Sequence, residues 1–233
     1  MLIWRPSRLA VACASFLLFT GCERDWRSRG ISRTEIHSIP LDQSEFVRAD
    51  LRMGAGELWL RGGSSKLVDA EFSYRRLRMR PELRYDSGHL TVEEPAGFGA
   101  SEGRYRWDLT FNNDKPLDLN IDFGAGEGHL DLGSLSLRQV NVHMGVGELH
   151  IDLRGEPKSN YRLAVHGGVG ELTVYLPEKA GIVADVQGGI GDIDARGLEK
   201  RDGRYVNAAY EHAKTTVELE IHGGIGAIHL IGE

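Results

Sequence analysis

The sequence predicts an all-β, single-chain β-solenoid of about six to seven rungs, and three observations carry that prediction. Six segments share one glycine-centred pattern: Met53-Gly-Ala-Gly-Glu-Leu, Phe123-Gly-Ala-Gly-Glu-Gly, Met144-Gly-Val-Gly-Glu-Leu, Gly167-Gly-Val-Gly-Glu-Leu, Gly188-Gly-Ile-Gly-Asp-Ile and Gly223-Gly-Ile-Gly-Ala-Ile. Their first shared glycines (Gly54, Gly124, Gly145, Gly168, Gly189 and Gly224) are separated by 70, 21, 23, 21 and 35 residues. A period near 21 residues marks stacked supersecondary units. Before each glycine pair, apolar residues alternate with polar ones, as in Leu119, Ile121 or Val140, Val142. Period-two alternation is a strand with one buried face. Beyond the pair the apolar parity changes, giving Leu58/Leu60, Leu149/Ile151/Leu153 and Leu172/Val174/Leu176. A one-residue slip would otherwise turn those side chains to solvent, so the backbone must bend or bulge at Gly-x-Gly.

Each predicted unit is therefore strand, glycine corner, strand. The residue between the glycines (Ala55, Ala125, Val146, Val169, Ile190, Ile225) reads as inward-facing, because it is small or aliphatic in every copy. A hairpin meander or barrel is the competing architecture. The two buried strands per unit and the variable stretches between units favour winding instead. Outward columns carrying Asp, Asn, Glu and His argue against a lipid-facing barrel.

In chain order, the first element is an export signal. Arg5 and Arg8 precede an apolar run, Leu9–Phe19, that is too short to span a bilayer but has the size of a signal-peptide core. Residues 1–21 form this signal, and 22–34 a polar tether. Residues 35–233 form the solenoid: an irregular part over 35–116, with a degenerate seventh copy at Asp86–Val92, then regular repeats over 117–233. Residues 199–214 read as an excursion between units. No amphipathic helix is apparent.

Composition narrows the function classes. Thirty glycines in 233 residues are about twice the usual share of roughly 7%. Lys plus Arg total 28 against 34 Asp plus Glu, which disfavours a nucleic-acid partner. The two cysteines cannot build a disulfide framework or a Cys-rich zinc site. Cys13 leaves with the signal, so the mature chain keeps Cys22 alone.

Gly-x-Gly invites a phosphate-loop reading, but those loops need a third glycine and a following helix; here a strand follows. Calcium β-roll repeats need a nine-residue period, which is absent. One outward column nevertheless gathers carboxylates, Glu57, Glu127, Glu148, Glu171 and Asp192, and reads as a weak divalent-cation ladder or a solvated edge. Two further columns gather histidines: His129, His150 and His229, and His143, His166 and His222. They read as surface residues. In Tyr74–Arg84, a strand would place Arg76, Arg78 and Arg80 on one face, with Arg84 beyond, and such a patch suits anionic lipid or polymer. No serine-hydrolase elbow, zincin motif or Cys–His arrangement occurs, and no cofactor is expected.

Three resemblances add to this reading. Phe19-Thr20-Gly21-Cys22 resembles the bacterial lipobox, which implies a lipid anchor on Cys22 and a membrane as partner. Glu23 after it resembles the pattern that sorts lipoproteins to an outer membrane in hosts with two membranes. The repeated G-[AVI]-G-[ED]-[LI] units resemble the toast-rack superfamily of bacterial envelope proteins, relatives of LiaF-type antibiotic-response domains and candidate adhesins. That resemblance implies a parallel solenoid without an established catalytic site. The expected function is a non-enzymatic envelope scaffold, adhesive or stress-associated module for an unidentified protein or polysaccharide. The alternative is a carbohydrate-binding or polysaccharide-active solenoid.

Overall fold

A computed structural model describes residues 33–95 and 105–232. The export signal, Cys22 and most of the tether lie outside the described residues. The tether ends earlier than its predicted boundary, because Arg33 and Thr34 already pair with Tyr74 and Ser73.

The repeats are parallel and in register. Strands β2 (Val47–Gly62), β7 (Leu117–Asp131), β8 (Leu137–Asp152) and β9 (Tyr161–Tyr175) follow one another side by side. Each runs unbroken through its glycine pair, so one bent strand replaces the predicted strand–corner–strand. Bending is a matter of reach. A straight strand as long as β7 would extend about 50 Å, yet residues 132–136, spanning at most roughly 20 Å, return the chain to the start of β8. The two arms must therefore fold towards each other, and the chain coils.

The second glycine of each pair makes the bend: Gly126 and Gly147 have φ +130° and +134°. A Cβ on Gly147 would lie 1.9 Å from the carbonyl oxygen of Gly126, and one on Gly126 would lie 2.0 Å from that of Gly56. Glycine is required twice over, for its dihedral angle and because the neighbouring backbone occupies the Cβ position.

Alternation along each arm gives the core. Leu119, Val140, Leu163 and Leu219 are almost fully buried, as are Ile121, Val142, Val165 and Ile221. Burying such side chains contributes about 1.5–3 kcal/mol each. Past the arms, Leu132, Leu153 and Leu176 each donate a backbone N–H to the next rung, so the ladder continues into the turns. Outside, Asn141 donates to Asn120 (2.8 Å) and Asn120 to Asp50 (2.7 Å), an amide ladder that parallel in-register stacking makes possible.

The residue between the glycines faces out, contrary to expectation. Val146 is 53% exposed and Ile225 52%. The inside of the corner is filled instead by the residue before the first glycine (Met53, Phe123, Met144) and by Leu58 and Leu149 after the second. The parity change is thus spread over four consecutive outward residues at a convex bend.

Two rungs are split. Strand β5 (His89–Glu93) lies parallel to the first arm of β2, and β6 (Arg106–Phe111) parallel to its second arm. Together they make the seventh rung. Of the expected copy Asp86–Val92, His89–Val92 lie in this rung, but Gly88 is not a corner. It turns the hairpin from β4 (Glu82–Asp86), while Leu90 and Val92 align with Ala49 and Leu51. At the other end, β10 (Gly181–Ile190) and β11 (Ile193–Arg196) share a rung. The last strand, β14 (Thr216–Ile231), inserts between β9 and β10. Stacking order thus departs from chain order. The full-length β14 bonds along both edges in the interior, and the broken rung lies outside it. The 199–214 excursion is the hairpin of β12 (Glu199–Arg201) and β13 (Arg204–Val206), which caps part of β10.

The opposite end is closed by β1 (Arg33–Ile39) and β3 (Val68–Tyr74), antiparallel to each other, with β3 antiparallel to β6. Asp69 joins the loops here: Ser38 and Ser64 donate hydroxyls to its carboxylate and Lys66 its ammonium (3.1 Å). These contacts, Ser38 first, hold its pKa down to about 2. A depressed carboxylate stabilises above its unfolded pKa, about 3.9, and that contribution is lost as pH falls through 2. Asp69→Asn is expected to flatten the acid dependence of the melting temperature between pH 4 and 2. An unchanged profile would place the acid sensitivity elsewhere.

Candidate functional site

Parallel register turns each sequence position into a column. Three residues past the first glycine, Glu57, Glu127, Glu148 and Glu171 are direct neighbours. The predicted five-membered carboxylate ladder is shorter: because β14 inserts, Ala227 pairs with Glu171, and Asp192 lies beyond it. Two residues further on, on the same face, runs Trp59, His129, His150, Thr173, His229 and Asp194. Residues two apart on a strand share a side, so the carboxylate and histidine columns form one strip. Sequence reading treated the columns separately and missed this pairing, although the i, i+2 spacing was present in Glu-x-His.

Inside the strip the rings stack. Trp59 and His129 lie 4.0 Å apart between centroids, His129 and His150 5.2 Å apart at 9°. Arg106 caps the column 4.5 Å over Trp59 and stands 3.7 Å from Glu57. Nε2 of His129 is 3.9 Å from Glu127, and Nε2 of His150 is 3.9 Å from Glu148. Burial, then His150, lowers the His129 pKa against the opposing pull of Glu127. The shift favours the uncharged imidazole. His229 is separated from His150 by Thr173 and stands between Glu171 (3.6 Å) and Asp194 (3.9 Å).

The second histidine column is continuous. His143, His166 and His222 stack at 5.0 and 5.1 Å. His143 lies 3.5 Å from Asp122 and His222 3.1 Å from Glu220. Arginines already stand at both carboxylates, Arg52 at Asp122 and Arg162 at Glu220.

The arginine stretch is not a strand. Leu77–Met79 is a single 3-10 turn, which buries Met79 and leaves Leu77 60% exposed, so these two do not share a face. Pro81 after the turn and the run of long cations oppose a ladder there. Arg80 bonds Glu35 (2.7 Å), and Arg84 lies 2.9 Å from Glu93 and 3.2 Å from Glu82. Arg78, Arg80 and Arg84 do line one trough, together with His37 and Glu82, and acidic partners balance part of its charge.

A last feature lies at the corners. Gly167, Gly188 and Gly223 stand where Met53, Phe123 and Met144 fill the earlier rungs. A shallow apolar cleft opens there over Leu172, Ile228 and Ile193. Glu94 closes the other end of the corner row, its carboxylate accepting the N–H groups of Gly54 and Ala55. Burial raises the Glu94 pKa against those two bonds.

Comparison with known proteins agrees with the parallel stack. Residues 28–175 match the family described as the N-terminal domain of toast-rack, and residues 125–230 match the C-terminal domain of the LiaF cell-wall-active antibiotic response. A solved structure from Clostridium sporogenes, described as a candidate cell adhesion protein, is 30% identical, with TM-score 0.83 over 87% of this chain and 100% of that one. A candidate adhesin from Bacteroides fragilis is 12% identical over 86% of this chain and 97% of its own, with TM-score 0.37. No curated protein matches the chain. No helix among the described residues is long and apolar enough to cross a membrane. With most of its length matched by the first family and a 30% identical structural relative superposing on nearly all of it, the chain belongs to the toast-rack family.

Proposed function

We propose that this chain is a non-enzymatic module of the bacterial cell envelope, tethered by lipid on Cys22, that presents its stacked faces to an envelope protein or polysaccharide. The carrying observation is the parallel register from β2 through β9 to β14, shifted only at the start of the β7–β8 pair, between Leu117 and Asp118. It repeats each outward side chain at one strand spacing, about 4.8 Å, over several rungs. Such a surface matches partners that are themselves extended or repetitive. Family membership supports the reading, since a matching domain is described by an antibiotic response at the cell wall and a relative by cell adhesion.

Two measurements test it. In bacteria fed a labelled fatty acid, the wild-type chain is expected to carry label and sediment with membranes, and Cys22→Ala to lose both. Where two membranes exist, Glu23 directs it to the outer one. The purified chain is then incubated with cell-wall and capsule polysaccharides. Retention without new reducing ends supports an interaction module. Chain cleavage would overturn it in favour of a polysaccharide-active solenoid.

A further inference from the structure

We propose that Glu127, His129, Glu148 and His150, on the adjacent strands β7 and β8, form a binding site for a divalent transition cation of the Zn²⁺, Cu²⁺ or Ni²⁺ class. The register places Glu127 beside Glu148 and His129 beside His150. Within each strand, the histidine Nε2 stands 3.9 Å from its glutamate. Four donors from two rungs thus occupy one patch of one face.

Charge favours a cation here. The two glutamates are about 60% exposed and lie a strand spacing apart. The imidazole of its own strand stands 3.9 Å from each. Among the described residues no Lys or Arg is within ion-pair distance of either. On neighbouring rungs the situation differs, with Arg106 at Glu57 and His229 at Glu171. The His143–His166–His222 column is less suited, because Arg52 and Arg162 already stand at its flanking carboxylates.

The donor set selects the metal. Imidazole nitrogen with carboxylate oxygen suits zinc, copper and nickel, whereas calcium takes six to eight oxygens. Zn–N and Zn–O bonds of about 2.0–2.2 Å put donors roughly 3.3 Å apart in a tetrahedral shell. No three donors among the described residues stand so close already. The approach needed is under about 1 Å for each Glu–His pair, and the two imidazoles, 5.2 Å apart, must tilt towards each other. Side-chain torsions supply this, since His150 and Glu148 are 37% and 61% exposed. The backbone does not move, because both strands are locked in a ladder. A bound ion would neutralise the paired glutamates and staple β7 to β8.

Trp59 provides the readout, its ring 4.0 Å from His129. The full chain, purified without a histidine tag, is titrated with CuCl₂ while tryptophan emission is recorded, and with ZnCl₂ by calorimetry. Saturable partial quenching is expected, absent in Trp59→Phe, and zinc is expected to bind at one ion per chain and block the quenching. His150→Gln with Glu148→Gln is expected to weaken zinc at least about tenfold, while His143→Gln with His166→Gln leaves it unchanged. Circular dichroism confirms that the variants fold, and His129→Gln alone repeats the test at a second ligand. Unchanged zinc binding in His129→Gln and in the double variant would overturn the site. Loss confined to His143→Gln with His166→Gln would move it to the other column. Calcium binding as tight as zinc, indifferent to histidine substitution, would leave a carboxylate ladder alone.

Discussion

Gly147→Ala is expected to lower the unfolding free energy by about 3 kcal/mol or more, a large share of the roughly 5–15 kcal/mol of a typical domain. Holding a non-glycine residue at φ +134° costs about 1–3 kcal/mol. A second effect adds to this strain. The new methyl would lie 1.9 Å from the Gly126 carbonyl oxygen, so β8 must move away from β7. Both edges of β8 are engaged, with β7 on one side and β9 on the other, so displacement loosens two ladders at once. The control is Gly203→Ala, where φ is +84° and nothing lies within 4 Å of the added Cβ. There only the dihedral cost remains, about 1–2 kcal/mol. Urea midpoints of the two variants separate the effects, and equal losses would show that rung stacking adds nothing to glycine's dihedral requirement.

That contrast also shows what the sequence made legible. The repeats, the buried parity of each arm and the bend at Gly-x-Gly are local patterns, and each survives in the structure. Stacking order is not local. Nothing in residues 197–215 announces that β14 inserts between β9 and β10, since all the strands carry the same apolar code and are interchangeable on that basis. Reading in chain order kept Asp192 in the carboxylate column, whereas the inserted β14 sets Ala227 beside Glu171 and leaves Asp192 beyond it. The residue between the glycines misled for another reason: aliphatic character normally signals burial, but at a convex corner Val146 and Ile225 have no interior to enter. The arginine stretch failed through assumed strand geometry, which Leu77–Met79 does not adopt. The Glu–His strip required two columns to be read together, and only their shared face makes them one chemical unit.

Phe123→Ala should cost about 3–5 kcal/mol, the usual range for emptying a buried aromatic site, and position 123 should be energetically coupled to Gly128. Rungs β2 and β8 fill the inside of their corners with Met53 over Leu58 and Met144 over Leu149. In β7 the same two positions hold Phe123 and Gly128. The ring of Phe123 supplies the volume that Gly128 lacks: a Cβ on Gly128 would meet Leu149 at 2.7 Å and the Phe123 ring at 3.7 Å. Gly128→Leu alone should therefore overpack the corner and destabilise by about 1–3 kcal/mol. Combined with Phe123→Met it recreates the Met-over-Leu pair of both neighbouring rungs, and the double variant should be more stable than Gly128→Leu alone. Residues in contact couple by about 0.5–3 kcal/mol, so the double-mutant cycle has a measurable sign. Additive losses would mean that the two positions do not share one volume. Recovery would show that the corner is specified by the summed size of two columns, and that Gly167, Gly188 and Gly223, which have no such partner change, leave their cleft open by design of the sequence.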